Sequence, residues 1–280
     1  MSELSSSTDH LEIKFPEERS FMAKILYDAS TFVKLSPTWR ALARADINSK
    51  YRRTMLGPWW LTVTQGCMAV MMALISGRFL GAEMAAYLPH FMISITIWNF
   101  ISSSITESSQ TLIYAGGMIK ATNMPISAHI MRMIQRNFII LAHNFAVVPL
   151  VWLVYRWQLG TGALLIIPGL ILVYIFSSAA ATLVSVICVR YRDVPPLIQA
   201  LMQLLFFISP IIWMPGSTRG GHLILELNPI NYLLSVIRDP LLNREFDGWM
   251  WVGAVVVTFA AVVLAALVYS RFRGRVVYWV

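Results

Sequence analysis

Six apolar runs, most of them near the length of a membrane crossing, constrain this chain more than any other feature. They cover residues 59–76, 88–105, 138–157, 164–189, 197–213 and 249–269. A helix that crosses a bilayer needs about 20 mainly apolar residues, and its backbone has to bond within the segment because hydrocarbon offers no other partner. Only 13% of the residues are charged, against about 25% in soluble domains. The expected fold is an all-α integral membrane protein with six transmembrane helices. The fifth run is short and follows Pro195-Pro196, so its entry is expected to be kinked or tilted. Pro149, Pro168 and Pro210 lie in or near spans, where neighbouring helices have to satisfy the freed carbonyls.

Six crossings put both termini on one side, and basic residues choose which. Seventeen Lys/Arg flank the spans on the side of the termini and five lie on the other. By the positive-inside rule both termini are cytoplasmic. The junction Lys50-Tyr51-Arg52-Arg53-Thr54-Met55-Leu56-Gly57-Pro58-Trp59-Trp60 shows the pattern locally, with cations ending where tryptophans and hydrocarbon-like residues begin. The first forty residues hold no apolar core of signal-peptide type, so the first span is expected to act as the insertion signal. The organisation that follows is a cytoplasmic N-terminal segment (1–37), an amphipathic interface helix (38–58), a six-helix membrane domain (59–269) and a cytoplasmic tail (270–280).

The net charge of +8 does not point to nucleic acid, because the cations flank apolar spans instead of forming one groove. Cys67 and Cys188 both sit inside apolar runs, which leaves no disulfide framework and no multi-cysteine metal site. No metal or cofactor is expected in the chain. It contains no Gly-Lys pair, hence no phosphate-binding loop of the Gly-x-x-x-x-Gly-Lys type, and no metalloprotease or serine-hydrolase motif. No catalytic residue is expected. Intramembrane carboxylates are nearly absent, which disfavours an ion-coupled transporter. His143, beside Asn144 in the third span, reads as a hydrogen-bonded packing residue or as a proton relay.

Three segments outside the spans carry pattern. Trp39, Leu42, Ala43, Ile47, Tyr51 and Met55 recur at helical spacing beside a polar stripe of Arg40, Arg44, Asn48 and Arg52. That is a helix lying in the interface plane, or else a basic flank that only fixes topology. The loop expected from Glu107 to Arg136 contains Leu112, Ile113, Met118, Ile119 and Met124, with Gly116-Gly117 as a break and Pro125 as the next helix opener. Apolar residues facing water ask for a protein partner, so a short docking helix is expected, the alternative being a partly buried loop. Between spans five and six, Leu223–Leu227 and Ile230–Ile237 are apolar but too short to cross. They fit two short helices dipping back into the outer half of the membrane.

Four strings then carry a family resemblance. Arg44–Trp60 resembles the entry sequence of ABC-2 type permeases, and of their polysaccharide-export branch most closely. Val189-Arg-Tyr-Arg-Asp-Val-Pro-Pro196, Phe207-Ile-Ser-Pro-Ile-Ile-Trp213 and Leu227-Asn-Pro-Ile-Asn-Tyr232 are similar to later segments of the same family, in the same order. The resemblance implies a bacterial inner-membrane exporter of a lipid-linked polysaccharide, of O-antigen or capsular type. Two copies of the chain would pair with two copies of a separate ATPase subunit, which holds the ATP and Mg²⁺. It implies a coupling helix at Met118, Ile119, Lys120, Asn123, Met124 and Pro125, and an interface helix carrying Arg40, Arg44, Arg52 and Arg53. It implies an external gate at Leu223, Leu227, Asn228, Pro229 and Tyr232. Trp98, Phe100, Phe206, Phe207 and Trp213 are candidate channel aromatics. Basic residues at the interface are candidates to attract the substrate's pyrophosphate, or else anionic membrane lipids. An ABC-2 permease for drugs or another small amphiphile is the alternative. A membrane-embedded transferase is disfavoured for want of converging acid/His pairs.

Overall fold

The computed structural model describes residues 36–57, 59–79, 83–121, 124–215 and 222–280. They form an all-helical membrane protein. Helix α1 (Ser36–Lys50) is followed by α2 (Trp59–Phe79), α3 (Met84–Tyr114), the short α4 (Gly116–Ala121), α5 (Ile126–Phe145) and α6 (Val147–Tyr155). A 3₁₀ turn (Thr161–Leu165) leads into α7 (Ile166–Arg190), then α8 (Val194–Ile208), α9 (His222–Leu227), α10 (Pro229–Leu241) and α11 (Gly248–Trp279).

Among the described residues, five helical stretches are long and apolar enough to cross a membrane: α2, α3, α5 with α6, the 3₁₀ turn with α7, and α11. The fifth of the six expected runs yields only the short apolar helix α8, of 15 residues. The run stays apolar to Trp213, but Ser209 precedes Pro210, and the residue before a proline is pushed out of helical geometry. Ser209 is accordingly extended, at φ −77° and ψ 146°. Three further expectations shift. The second span runs on to Tyr114, nine residues past Ile105, so most of the segment expected as loop from Glu107 is helix. The third span is interrupted at Ala146. Pro149 has no N–H for the carbonyl of Phe145 and crowds it, which favours a break there. The last helix continues to Trp279, through the segment expected as a tail.

Helix α3 is the hub. Its most apolar window is 78% buried, against 17% for that of α11, and it packs against α2, α5, α7 and α8. Helix α11 lies along α7. Large apolar side chains stay exposed on α2 (Trp60, Val63, Met71) and α11 (Val255, Val256, Phe259), where a bilayer rather than water is the natural contact. Helix α1 packs on α5 through Trp39, Ala43 and Ile47, all buried at four-residue spacing. Its apolar stripe is thus covered by protein instead of being left to lipid.

Short side chains let helices approach. A Cβ on Gly169 of α7 would sit 2.7 Å from the carbonyl oxygen of Val236 in α10. Because that neighbour is backbone, it has little freedom to move aside; close backbone approach through small residues is typical of membrane interfaces. Gly169→Ala is expected to destabilise the protein by about 1–3 kcal/mol, the usual cost of overpacking. A lower thermal unfolding midpoint in detergent would show it, and an unchanged midpoint would mean that α7 and α10 lie further apart.

Candidate functional site

At one end of the bundle lie the close of α1, the start of α2 and α5, and the far ends of α3, α7 and α11. Here α3 gives way at Ala115 to the short α4. Gly116 and Ile119 are buried, whereas Met118 is 41% and Tyr114 81% exposed. The apolar pair Tyr114 and Met118 therefore stands at the surface, four residues apart. Leu112 and Ile113, expected in a docking loop, belong to α3 instead, and Leu112 is wholly buried. Helix α4 is braced from the side by the end of α11. Lys120 Nζ donates to the Val280 carbonyl oxygen at 2.8 Å. A Cβ on Gly116 would lie 2.4 Å from Val280 Cγ1. Arg190 covers the Trp279 ring at 5.0 Å. Met124 is half-buried, and Pro125 caps α5; Asn123 lies outside the described residues.

The interface arginines surround this end. Arg40 and Arg44 project from α1 and are exposed, with Arg40 over the Trp39 ring at 5.3 Å. Arg52 and Arg53 lie past the helix end, also exposed, and Arg53 adopts φ +71°. The acid-paired cations are two others. Arg132 forms a two-pronged ion pair with Asp46, joining α5 to α1, with Nε to Oδ2 at 2.7 Å. Arg136 pairs with Glu107, joining α5 to α3. Asp46 and Glu107 are the signal that sequence reasoning left unused, since each lone carboxylate lies where an arginine can reach it.

At the opposite end α8 stops, and the chain returns through α9 and α10. Asn228 caps α10 by accepting from the Ile230 N–H at 3.0 Å, with Pro229 at the first helical position. Helix α10 is almost wholly buried. Residues 209–212 are irregular backbone, and three side chains hold them. Asn228 Nδ2 donates to Ser209 Oγ at 2.9 Å. Arg238 Nη1 donates to the Pro210 carbonyl at 3.0 Å. The Tyr87 hydroxyl of α3 donates to the Ile212 carbonyl at 2.7 Å. Arg238 is 1% exposed and also donates to Asp239 at 2.9 Å and to Ser235 at 3.0 Å. Arg244 shares Asp239 at 3.1 Å; burial and the nearby Arg238 lower its pKa, and Asp239 opposes them. Tyr232 donates to the Glu226 carbonyl at 2.6 Å, with its ring packed on Gly253. Leu227 is exposed, and Leu223 falls in α9, its side chain outside the described residues.

Two short helices therefore return between α8 and α11, a braced helical corner stands at the other end, and a buried hub helix joins the two. The ABC-2 type transporter family profile matches residues 37–242, from α1 through α10. The chain belongs to the ABC-2 type transporter family. No curated protein matches it. It is thus the membrane subunit of a transporter, a role that needs no catalysis from the chain itself, and ABC-2 permeases typically work with an ATPase subunit.

In this ABC-2 subunit the candidate channel aromatics divide. Trp98 (5% exposed) and Phe100 (3%) are enclosed within the chain. Phe100 meets Phe138 and Tyr174 at ring-centre distances of 5.9 and 6.4 Å. Trp98 meets the half-buried Phe206 at 5.7 Å, and Phe206 meets Phe207 at 5.5 Å. Phe207 is 65% exposed, and Trp213 Nε1 donates to its carbonyl at 3.2 Å. Of the five, Phe207 offers the most open face. His143 is hydrogen-bonded to the Ile139 carbonyl at 2.8 Å and edge-packed with Trp59.

Arg238→Ala removes three bonds and leaves the Pro210 carbonyl without that partner. A loss of roughly 2–5 kcal/mol is expected, read as faster proteolysis of the segment between α8 and α11. Wild-type resistance would show that Arg238 does not hold this segment.

Proposed function

We propose that the chain is the transmembrane half of an ATP-driven exporter that moves a lipid-linked polysaccharide, of O-antigen or capsular type, across the bacterial inner membrane. Two copies pair with two ATPase subunits, which bind the ATP and Mg²⁺. Both termini face the cytoplasm, as the 17-to-5 division of basic residues supports. Helix α4 is the coupling helix, and its exposed Tyr114–Met118 face is the observation that carries the reading. An exposed apolar surface outside the hydrocarbon is suited to binding a protein. The polysaccharide substrate is favoured by the four motif strings, in order, and by the aromatic content.

Closure of the ATPase pair does work on the membrane only if a rigid element transmits it. Helix α4 is wedged between the end of α3 and the last turn of α11, so a push on it loads both. Helix α3 carries the displacement to Tyr87, which holds the backbone at Ile212 beside α9 and α10, the outer gate. The α1 arginines lie beside the same corner, placed to meet lipid phosphates or the ATPase.

Met118→Asp puts a charge into the docking face without touching the core. Expected outcomes are at least a tenfold loss of ATPase co-purification and lipid-linked glycan accumulating inside the cell, with the chain still in the membrane; one large apolar contact is worth about 1.5–3 kcal/mol. Unchanged glycan export from cells lacking the chain, with loss of resistance to a drug instead, would overturn the substrate.

A further inference from the structure

A cleft of mixed polar and apolar lining runs from the α4 end of the bundle along α3, within one copy of the chain. Its outer chamber, about 770 Å³, is bordered by Asp46, Lys50, Gln110, Arg132 and Arg136, and on its α4 side by Tyr114 and Met118, whose outer faces form the docking surface. Its inner chamber, about 300 Å³, is bordered by Gln65, Thr96, Asn99, Ser103, Asn137 and Asn144. Lys50 and Glu107 line both chambers and mark where they meet.

The sequence makes this cleft by helical spacing. Thr96, Asn99, Ser103, Glu107 and Gln110 recur every three or four residues down α3, a stripe about 21 Å long at 1.5 Å per residue. Arg132, Arg136, Asn137 and Asn144 form the answering stripe on α5. The stripes bond in places: Asn99 donates to Gln65 at 3.2 Å, Asn137 to Glu107 at 3.2 Å, and Thr62 to Asn144 at 3.3 Å. Each side-chain amide can make about four hydrogen bonds, so these partners leave capacity unused at Asn99 and Asn144. Polar residues that only tie helices together pack without a void. Here 300 Å³ stays open beside them, bordered also by Leu61, Met68, Ile140 and Leu141, room for water or a hydroxylated ligand.

The charges are graded. Arg132 and Arg136 are each held by a carboxylate, whereas Lys50 pairs with no acid among the described residues. Lys50 therefore supplies the net positive charge where the charged chamber gives way to the neutral, amide-lined one. An anion fits at Lys50 and sugar hydroxyls fit the amides beyond it, with Phe100 as an aromatic wall. Inorganic phosphate or a plain anionic lipid would use only the first half.

We propose that this cleft between α2, α3 and α5 binds the sugar-diphosphate headgroup of a lipid, phosphate at Lys50 and sugar against Asn99. The site rests on the glycan-export reading, and one experiment separates the two. The permease–ATPase complex in nanodiscs is titrated with a short polyprenyl diphosphate bearing one N-acetylglucosamine. The same lipid without the sugar, inorganic pyrophosphate and phosphatidylglycerol serve as comparisons. Lys50→Gln is expected to weaken both diphosphate lipids about tenfold, the scale of one charge-assisted contact. Asn99→Leu, with Asn99→Ser as the milder variant, is expected to weaken only the sugar-bearing lipid, also about tenfold. Lys50 is exposed, so its variant keeps the fold. Wild-type affinity in the Lys50 and Asn99 variants overturns the site while the export reading stands. So does equal binding of pyrophosphate or phosphatidylglycerol by the wild-type complex. If the wild-type complex binds none of the probes, the export reading falls with the site.

Discussion

A polar group at membrane depth has to be satisfied by protein, and the placement of α3 follows from that requirement. Hydrocarbon offers no hydrogen bonds, so an unpaired amide or charge there costs several kcal/mol. Helix α3 carries the largest such burden among the long helices and is the most enclosed of them. Glu107 has to find Arg136, and Asn99 has to find Gln65. Those demands draw α2 and α5 onto one face of α3, leaving its apolar residues Phe91, Ile97 and Ile101 buried in the core. The same rule governs the other end. Backbone at residues 209–212 leaves the helix and is held by Tyr87, Asn228 and Arg238.

These two sets of interactions give an ABC-2 subunit its mechanical continuity. Helix α4 is braced by Lys120 and Gly116 against the end of α11, and it follows α3 after a single residue. Tyr87, near the other end of α3, bonds the irregular segment before the two short returning helices. One rigid element thus joins a surface suited to a motor with a segment suited to a gate. Packed interfaces of this kind switch between discrete arrangements rather than deforming smoothly, which is what a transport cycle needs.

Much of this was legible from hydrophobic spacing. The apolar runs located α2 and α7 to within a few residues and the start of α11 to within one, Trp39, Ala43 and Ile47 defined the buried face of α1, and Gly116 marked the start of α4. What hydropathy missed follows from pairing. Helix α3 continues through Thr106, Glu107 and Gln110 because those groups have partners or cleft surface beside them, whereas a scale that scores residues singly ends the span at Ile105. Proline had the opposite effect. The apolar runs continue through Pro149 and Pro210, but the helices break at Ala146 and Ser209. The Arg132–Asp46 and Arg136–Glu107 pairs join residues 86 and 29 positions apart, and no local pattern announces them.

The polar stripe of α3 faces a cleft inside the protein while its other faces are packed. Cysteine scanning tests it directly, in a background with Cys67 and Cys188 replaced. Single cysteines from position 96 to 110 are exposed to a membrane-impermeant maleimide from the α4 side. Labelling should peak at 99, 103, 106 and 110 and fall to background at 97, 101, 105 and 108, a period of three to four residues. Labelling that is uniform, absent, or strongest at 97 and 101 would mean that the stripe of α3 does not face an open cleft.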